Sequence, residues 1–337
     1  MKIARILSID GGGIRGVMPA VVLAAIERRL GKPISSLFHM VAGTSTGAVL
    51  GFGLTKKQPY SGQQMLDLYQ QFGPRIFYTN WWRNIRTLNG LMGPYYDYRS
   101  WETVLEETLG EDLFSECSVD FLVAAYDMER RIPAIFKSWK TRGERLPAGI
   151  DPKSRDFKIR DLARGSSAAP TYFSPARICS LTKEYCTLID GGVYANNPAA
   201  LALASAKRLY PNADALQVVS LGTGTLSRPF PFDKARYWGR PQWAMPVIEI
   251  LGGAVDDTID YQLETSLRGD LYYRFQTDLL RREPNVPAPS DMMDDDSTEN
   301  IEKLFRRGNL MLEEQGERFD KLLMALDEPL TERTALL

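Results

Sequence analysis

Apolar positions along this chain fall into short runs that close on glycine, serine or asparagine. Between them lie longer stretches in which apolar residues recur every three or four positions. Residues 2–10 make the first short run and read as a strand, which ends at Asp10 and the turn Gly11-Gly12-Gly13-Ile14-Arg15-Gly16. Residues 17–30 read as a helix, with Val21, Val22, Ala25 and Ile26 on its apolar stripe and Glu27, Arg28 and Arg29 carrying charge. Residues 38–42 read as a buried strand and 48–54 as a helix packed tightly against a sheet. Residues 61–72 make an amphipathic helix capped by Ser61. Further strands are predicted at 119–126, 134–139, 187–190 and 216–221, and helices at 101–109, 159–164 and 198–209. Residues 73–100 are irregular and aromatic-rich, and 142–156 form a charged loop. Residues 282–300 read as a flexible polar loop, and 301–326 as one closing helix.

Strands that alternate with helices, each strand ending in small turn residues, predict an α/β fold in three layers. The sheet should be mainly parallel, with helices on both faces. The chemically suggestive residues run from Asp10 to Asp190 without a linker, so residues 1–337 read as one domain. Its core is 3–225, and 226–337 is a less diagnostic helical part.

Composition narrows the function classes. The chain has 337 residues and a net charge of −1, which gives no electrostatic case for a nucleic acid polymer as partner. Three cysteines, Cys117, Cys179 and Cys186, suit a reducing cytosol better than a disulfide framework, so a cytoplasmic location is expected. The opening residues read as a strand rather than a leader, and no apolar run reaches the length of a membrane span. A lipid substrate would therefore be met from outside the bilayer, through peripheral contact.

The chemistry concentrates at Gly43-Thr44-Ser45-Thr46-Gly47. A strand, a glycine-flanked turn and a helix form the context that exposes a strained nucleophilic serine at the carboxyl edge of a sheet. Gly43 and Gly47 fit because the turn leaves no room for side chains beside Ser45. A serine of this kind needs a base, and the chain owns one histidine, His39. His39 lies at the far end of the strand that feeds the turn, about 20 Å from Ser45 at extended spacing. A carboxylate must then activate Ser45.

Gly11, Gly13 and Gly16 also match the dinucleotide-binding spacing between a strand and a helix. That reading requires an acidic residue at the end of the second strand, where this chain has Ala42-Gly43-Thr44-Ser45. The alternative use is as an anion site: unhindered amides at a helix amino terminus would stabilise an oxyanion on an attacked ester carbonyl. Arg15 within the loop could meet a lipid phosphate or pair with Asp10. Two strand ends carry Asp-Gly-Gly, at Asp10 and at Asp190. A negative charge at Asp10 would oppose an oxyanion, so Asp10 is expected to bond the amides of its own loop. Asp190 is expected to face Ser45 across the sheet edge as general base, its pKa raised by burial.

Taken together these residues resemble the patatin-like phospholipase family of Ser-Asp dyad acyl hydrolases. Asp10-Gly11-Gly12-Gly13-Ile14-Arg15-Gly16 resembles its oxyanion loop, Gly43-Thr44-Ser45-Thr46-Gly47 its elbow and Asp190-Gly191-Gly192 its base motif. The segments 166–173, 196–198 and 93–97 are similar to other recurrent blocks of the family, so the resemblance runs over residues 3–225. It implies hydrolysis of fatty-acyl esters of membrane glycerolipids through an acyl-enzyme. Ser45 and Asp190 would be catalytic, Gly11, Gly12, Gly13 and Thr46 would hold the oxyanion, and no metal or organic cofactor would take part. It also admits acyl transfer or thioester cleavage on the same dyad, and a silent lipid-binding scaffold. Some bacterial members are antiphage effectors that a cyclic nucleotide activates and assembles, so a cyclic nucleotide activator and a homo-oligomer are further partners it admits. Two aromatic stretches, 81–92 and 230–243, place tryptophan beside arginine as a membrane-interface lid would; capping of the core is the competing reading.

Overall fold

The computed structural model describes residues 1–77, 93–225, 229–267, 269–281 and 287–337. The aromatic stretch at 81–92 lies outside the described residues.

Among the described residues eight strands form one sheet: β1 (Ile3–Ile9), β2 (Met40–Thr44), β3 (Asp120–Asp127), β4 (Ile132–Lys137), β5 (Ala176–Cys179), β6 (Tyr185–Asp190), β7 (Ala215–Leu221) and β8 (Tyr272–Phe275). The principal helices are α1 (Val17–Leu30), α2 (Thr46–Thr55), α3 (Gly62–Ile76), α4 (Tyr98–Leu109), α5 (Ile159–Ser166), α6 (Gly192–Ala195) and α7 (Ala199–Leu209). They continue with α8 (Phe232–Ala235), α9 (Arg240–Ser266), α10 (Thr298–Glu314) and α11 (Gly316–Asp327). The order β5-β6-β3-β2-β1-β7-β8 has a parallel centre, β3-β2-β1-β7-β8, and an antiparallel flank made by β4, β6 and β5.

Alternate residues of the central strands feed opposite cores, as a period of two requires. Leu7, Ile9, Val41, Phe121 and Val219 pack with α1 to α5, α10 and α11 on one face. Ala4, Ile6, Met40, Leu122 and Val218 pack with α7 and with Leu263 of α9 on the other. This is the three-layer α/β arrangement expected. Ser61 caps α3 with both halves of a capping box, its Oγ accepting from Gln64 N and the Gln64 side chain accepting from Ser61 N.

Three features depart from the sequence reading. Of residues 134–139, 134–137 belong to β4, which runs antiparallel to β3 because a short hairpin joins them, and Ser138 and Trp139 already begin a short helix. The single helix expected at 301–326 is two, α10 and α11, which meet at Gln315. The 27-residue α9 had no clear periodic signal, since Pro246, Gly252 and Gly253 interrupt its pattern, and β8 is only four residues long.

The arrangement of strands around β3 positions the site. β4 covers one edge of β3 from Leu122 to Asp127. The other edge is shared: β2 pairs with it from Asp120 to Ala124, and β6 pairs with it from Ala125 to Asp127. β2 runs parallel to β3 and β6 antiparallel, so the two approach each other along a single lane. Their carboxyl ends meet there, Thr44 beside Ala124 and Asp190 beside Ala125.

Candidate active site

Ser45 is the first residue beyond β2 and sits at φ 54°, ψ −123° before α2 begins. A non-glycine residue there is strained by about 1–3 kcal/mol, which the surrounding structure must impose. The flanking glycines allow it through close approach. A side chain on Gly43 would strike the backbone of Gly47 and Ala48, and one on Gly47 would strike the Ile9 carbonyl.

Asp190 is buried at the end of β6, two residues before α6 begins. Burial pushes its carboxyl up to about 6, against the Gly192 amide, which donates to Oδ1 at 2.7 Å, and the Ser45 hydroxyl, a second hydrogen-bond partner that also favours the charged form. Among the described residues no lysine or arginine pairs with it. The serine and aspartate turns meet end to end in one lane, because β6 takes over the β3 edge where β2 leaves it.

The glycine loop lies beside this pair. The Gly11 amide donates to the Asn196 carbonyl at 3.1 Å, so it is already engaged, and the Gly11 carbonyl accepts from Thr223 Oγ1 at 2.6 Å. The Ile14 amide donates to the Met293 carbonyl at 2.9 Å. Among the described residues no acceptor faces the amides of Gly12, Gly13 or Thr46, the last at the first turn of α2. Gly13 has φ +59°, and a side chain there would run into the Met293 carbonyl, so the position demands glycine twice over. Gly13 and Thr46 line the same pocket as Ser45, and free amides at the first turn of a helix suit negative charge. Thr46 is held by its side chain, whose Oγ1 shares a 2.5 Å hydrogen bond with the Tyr69 hydroxyl.

Asp10 departs from the expectation that it bonds its own loop. Its carboxylate lies 2.7 Å from Arg274 of β8, buried on both sides. Burial pushes the Asp10 carboxyl up to about 8 even though Arg274 pulls it down, while Asp10 and Asp260 hold the guanidinium protonated. Arg15 is buried, and its Nε donates to the Gly12 carbonyl at 3.3 Å, bracing the loop. His39 sits at the amino-terminal end of β2, where Nδ1 accepts from Arg5 N at 2.9 Å and Nε2 meets the Thr331 carbonyl at 2.7 Å. It serves the fold at the opposite edge of the sheet.

Several residues around the site had no assigned role in the sequence. Ser166 and Asn196 stood inside recognisable blocks, but nothing in the pattern said what they touch. Asp256 and Asp260 of α9 accept from Asn196 Nδ2 at 2.8 Å and from Arg274 Nε at 3.0 Å, tying that helix to the loop behind the serine. The available signal for Arg274 was an arginine within an otherwise aromatic strand, Tyr272–Phe275.

A pocket of about 90 Å³ opens at Ser45. Gly13, Ile14 and Thr46 line it together with Val49, Met65, Leu68, Phe72, Ile76, Val104 and Leu105, drawn from α2, α3 and α4. The lining is almost wholly apolar, with Tyr69, Thr108 and Ser167 among the few polar side chains.

The chain matches known proteins along much of its length. A family described as patatin-like phospholipase matches residues 7–203. Patatin-like protein 4 of Arabidopsis thaliana is 29% identical, with 93% of this chain and 84% of that protein covered. Patatin-15 of Solanum tuberosum is 28% identical, with 96% and 90% covered. The crystal structure of VipD from Legionella pneumophila superposes with a TM-score of 0.38 at 14% identity, covering 92% of this chain and 67% of that one, and is too loose a match to bear on the reading. The match to the family over 7–203, on a fold that brings its glycine loop, serine turn and Asp-Gly-Gly to one edge, makes this chain a member of the patatin-like phospholipases, and so a lipid acyl hydrolase.

Proposed function

We propose that Ser45 and Asp190 cleave fatty-acyl esters of membrane glycerolipids through an acyl-enzyme. The observation that carries this reading is the strained Ser45 standing between a buried carboxylate, which no lysine or arginine of the described residues pairs with, and an apolar pocket. Asp190 takes the Ser45 proton as the serine oxygen bonds to the ester carbonyl carbon. The amides of Gly12, Gly13 and Thr46 receive the developing oxyanion, each worth on the order of 3 kcal/mol to the transition state. Collapse breaks the ester bond, Asp190 returns its proton to the departing alkoxide, and the acyl group stays on Ser45. Water, giving its proton to Asp190, then attacks the acyl-enzyme and releases the fatty acid as Ser45 regains its proton. The acyl chain lies along the apolar walls built by α2, α3 and α4. Gly11 and Arg15 shape the loop in this scheme, since the Gly11 amide and the Arg15 Nε are engaged within the protein.

The lipid surface is met by the amino-terminal part of α9 and the turn before it. Phe232 and Tyr237 are 74% and 75% exposed, Trp243, Val247 and Ile250 follow at helical spacing, and Lys234, Arg236 and Arg240 stand among them. Exposed aromatic rings interleaved with cations suit an anionic headgroup layer. No helix among the described residues is long and apolar enough to cross a membrane.

Mass-spectrometric analysis of products from mixed glycerolipids tests the reading. Free fatty acid and lysolipid should form with the wild type and be absent with Ser45→Ala. Equal product from both proteins would refute the assignment.

A further inference from the structure

Where β2 gives way to β6, one rung of the β3 ladder is missing, and a side chain fills it. The Asp120 amide donates to the His39 carbonyl at 3.0 Å, which fixes the parity of the parallel pairing. Counting in steps of two along β2 from His39, the next rung after Gly43 would run from the Ser45 amide to the Ala124 carbonyl. Ser45 instead leaves the ladder at positive φ. The Ser166 hydroxyl occupies the gap: its Oγ accepts from Ser45 N at 2.8 Å and donates to Ala124 O at 2.7 Å. Ser166 is fully buried at the end of α5. Its own carbonyl accepts from the Gly191 amide at 3.3 Å, and the Ala168 carbonyl two residues on accepts from the Asp190 amide at 3.0 Å. One short segment therefore grips the serine turn by a side chain and the aspartate turn by its main chain.

We infer that Ser166 is a positioning residue that replaces a ladder rung with its hydroxyl and so fixes the Ser45 turn relative to Asp190. A backbone rung would pull Ser45 back into extended conformation and bury its hydroxyl in the sheet. An absent rung would leave a buried amide and a buried carbonyl unpaired, and the turn would relax toward other contacts. A hydroxyl satisfies both groups while holding them one side chain further apart, which is the spacing the elbow needs. The inference rests on the Ser45–Asp190 reading, and its test is arranged so that the two can fail separately.

The test reacts purified full-length protein with a fluorophosphonate serine probe and follows hydrolysis of a soluble short-chain ester. The probe titre counts folded, competent sites, and the rate constant reports their geometry. Ser166→Ala should keep a full titre, react with the probe roughly 100-fold more slowly and lose kcat in parallel, with KM within about twofold, since a displacement near 1 Å costs about that factor. The acidic limb of its pH–rate profile should move to higher pH, because the Ser45 hydroxyl that favours the charged carboxylate is displaced. Ser166→Thr, which keeps the hydroxyl, should recover most of the rate. Should Ser166→Ala be recovered unfolded, Ser166→Cys carries the same expectation, its thiol being a weak donor and acceptor of similar size. A wild-type rate constant at full titre, or a loss explained wholly by a lower titre with the acidic limb unmoved, would overturn the inference. Failure of the underlying reading shows elsewhere, as wild-type probe labelling that survives Ser45→Ala.

Discussion

The same tripeptide, Asp-Gly-Gly, ends two strands of one sheet edge, and its two copies do different chemistry. Asp10, at the end of β1, faces the Arg274 guanidinium at 2.7 Å. Asp190, at the end of β6, faces a backbone amide and a serine hydroxyl. Burial works against the charge of both. At Asp10 a full cation answers it and the carboxylate becomes part of the scaffold beneath the glycine loop. At Asp190, among the described residues, only neutral dipoles answer it, and one of them is the Ser45 hydroxyl, whose proton the carboxylate can take. The motif marks a turn; what stands across from the turn decides whether it holds the fold or takes a proton.

That contrast can be broken most sharply at Asp190 itself. Asp190→Asn should lower kcat for a soluble ester by roughly 10²–10⁴-fold, the usual share of a general base, with the protein still folded. The counterpart at Asp10 is Arg274→Met, which leaves a buried carboxylate without its cation. It should lower stability by about 3–5 kcal/mol in urea unfolding while the probe rate per folded molecule falls less than tenfold. If Arg274→Met instead kills the rate at unchanged stability, Asp10 belongs to the chemistry.

A smaller effect at Asp190 comes through linkage. The folded-state pKa of Asp190 is raised to about 6, so its charged form is disfavoured by folding. The penalty is absent below the ordinary carboxylate range, grows as pH rises and is complete above about 6. Asp190→Asn should therefore be more stable than the wild type at pH 7, by on the order of 3 kcal/mol, and the gap should close toward pH 4. Paired denaturant titrations at the two pH values read this directly; an unchanging gap would contradict it. The smallest effect is at the surface: Phe232→Gln with Tyr237→Gln should weaken co-sedimentation with anionic vesicles several-fold and spare the soluble ester. Equal loss of both activities would assign those rings to the fold.

Much of this was legible in the sequence because local pattern and tertiary use coincide. The central strands are apolar and short, each ends in small residues, and Gly43 and Gly47 announce a turn too tight for side chains. The lone histidine, by its distance along β2, pointed to a carboxylate. What stayed hidden depends on contacts far apart in the chain. Asp10 finds Arg274 near the far end of the chain, and no local rule could pair them. The end-to-end meeting of β2 and β6 depends on β4 occupying the opposite edge of β3. Ser166 lies within a recognisable block, yet its role exists only because a rung is missing elsewhere. The Gly11 amide looked like a donor until Asn196 claimed it.

The central claim is that a lone carboxylate, with no help from imidazole, governs Ser45. The pH dependence of fluorophosphonate labelling of the wild type, Asp190→Asn and His39→Gln tests it most directly. The account predicts one acidic limb near pH 6 in the wild type, the same limb in His39→Gln, and a slow, pH-independent rate in Asp190→Asn. A limb that persists in Asp190→Asn, or one that vanishes in His39→Gln, would contradict it.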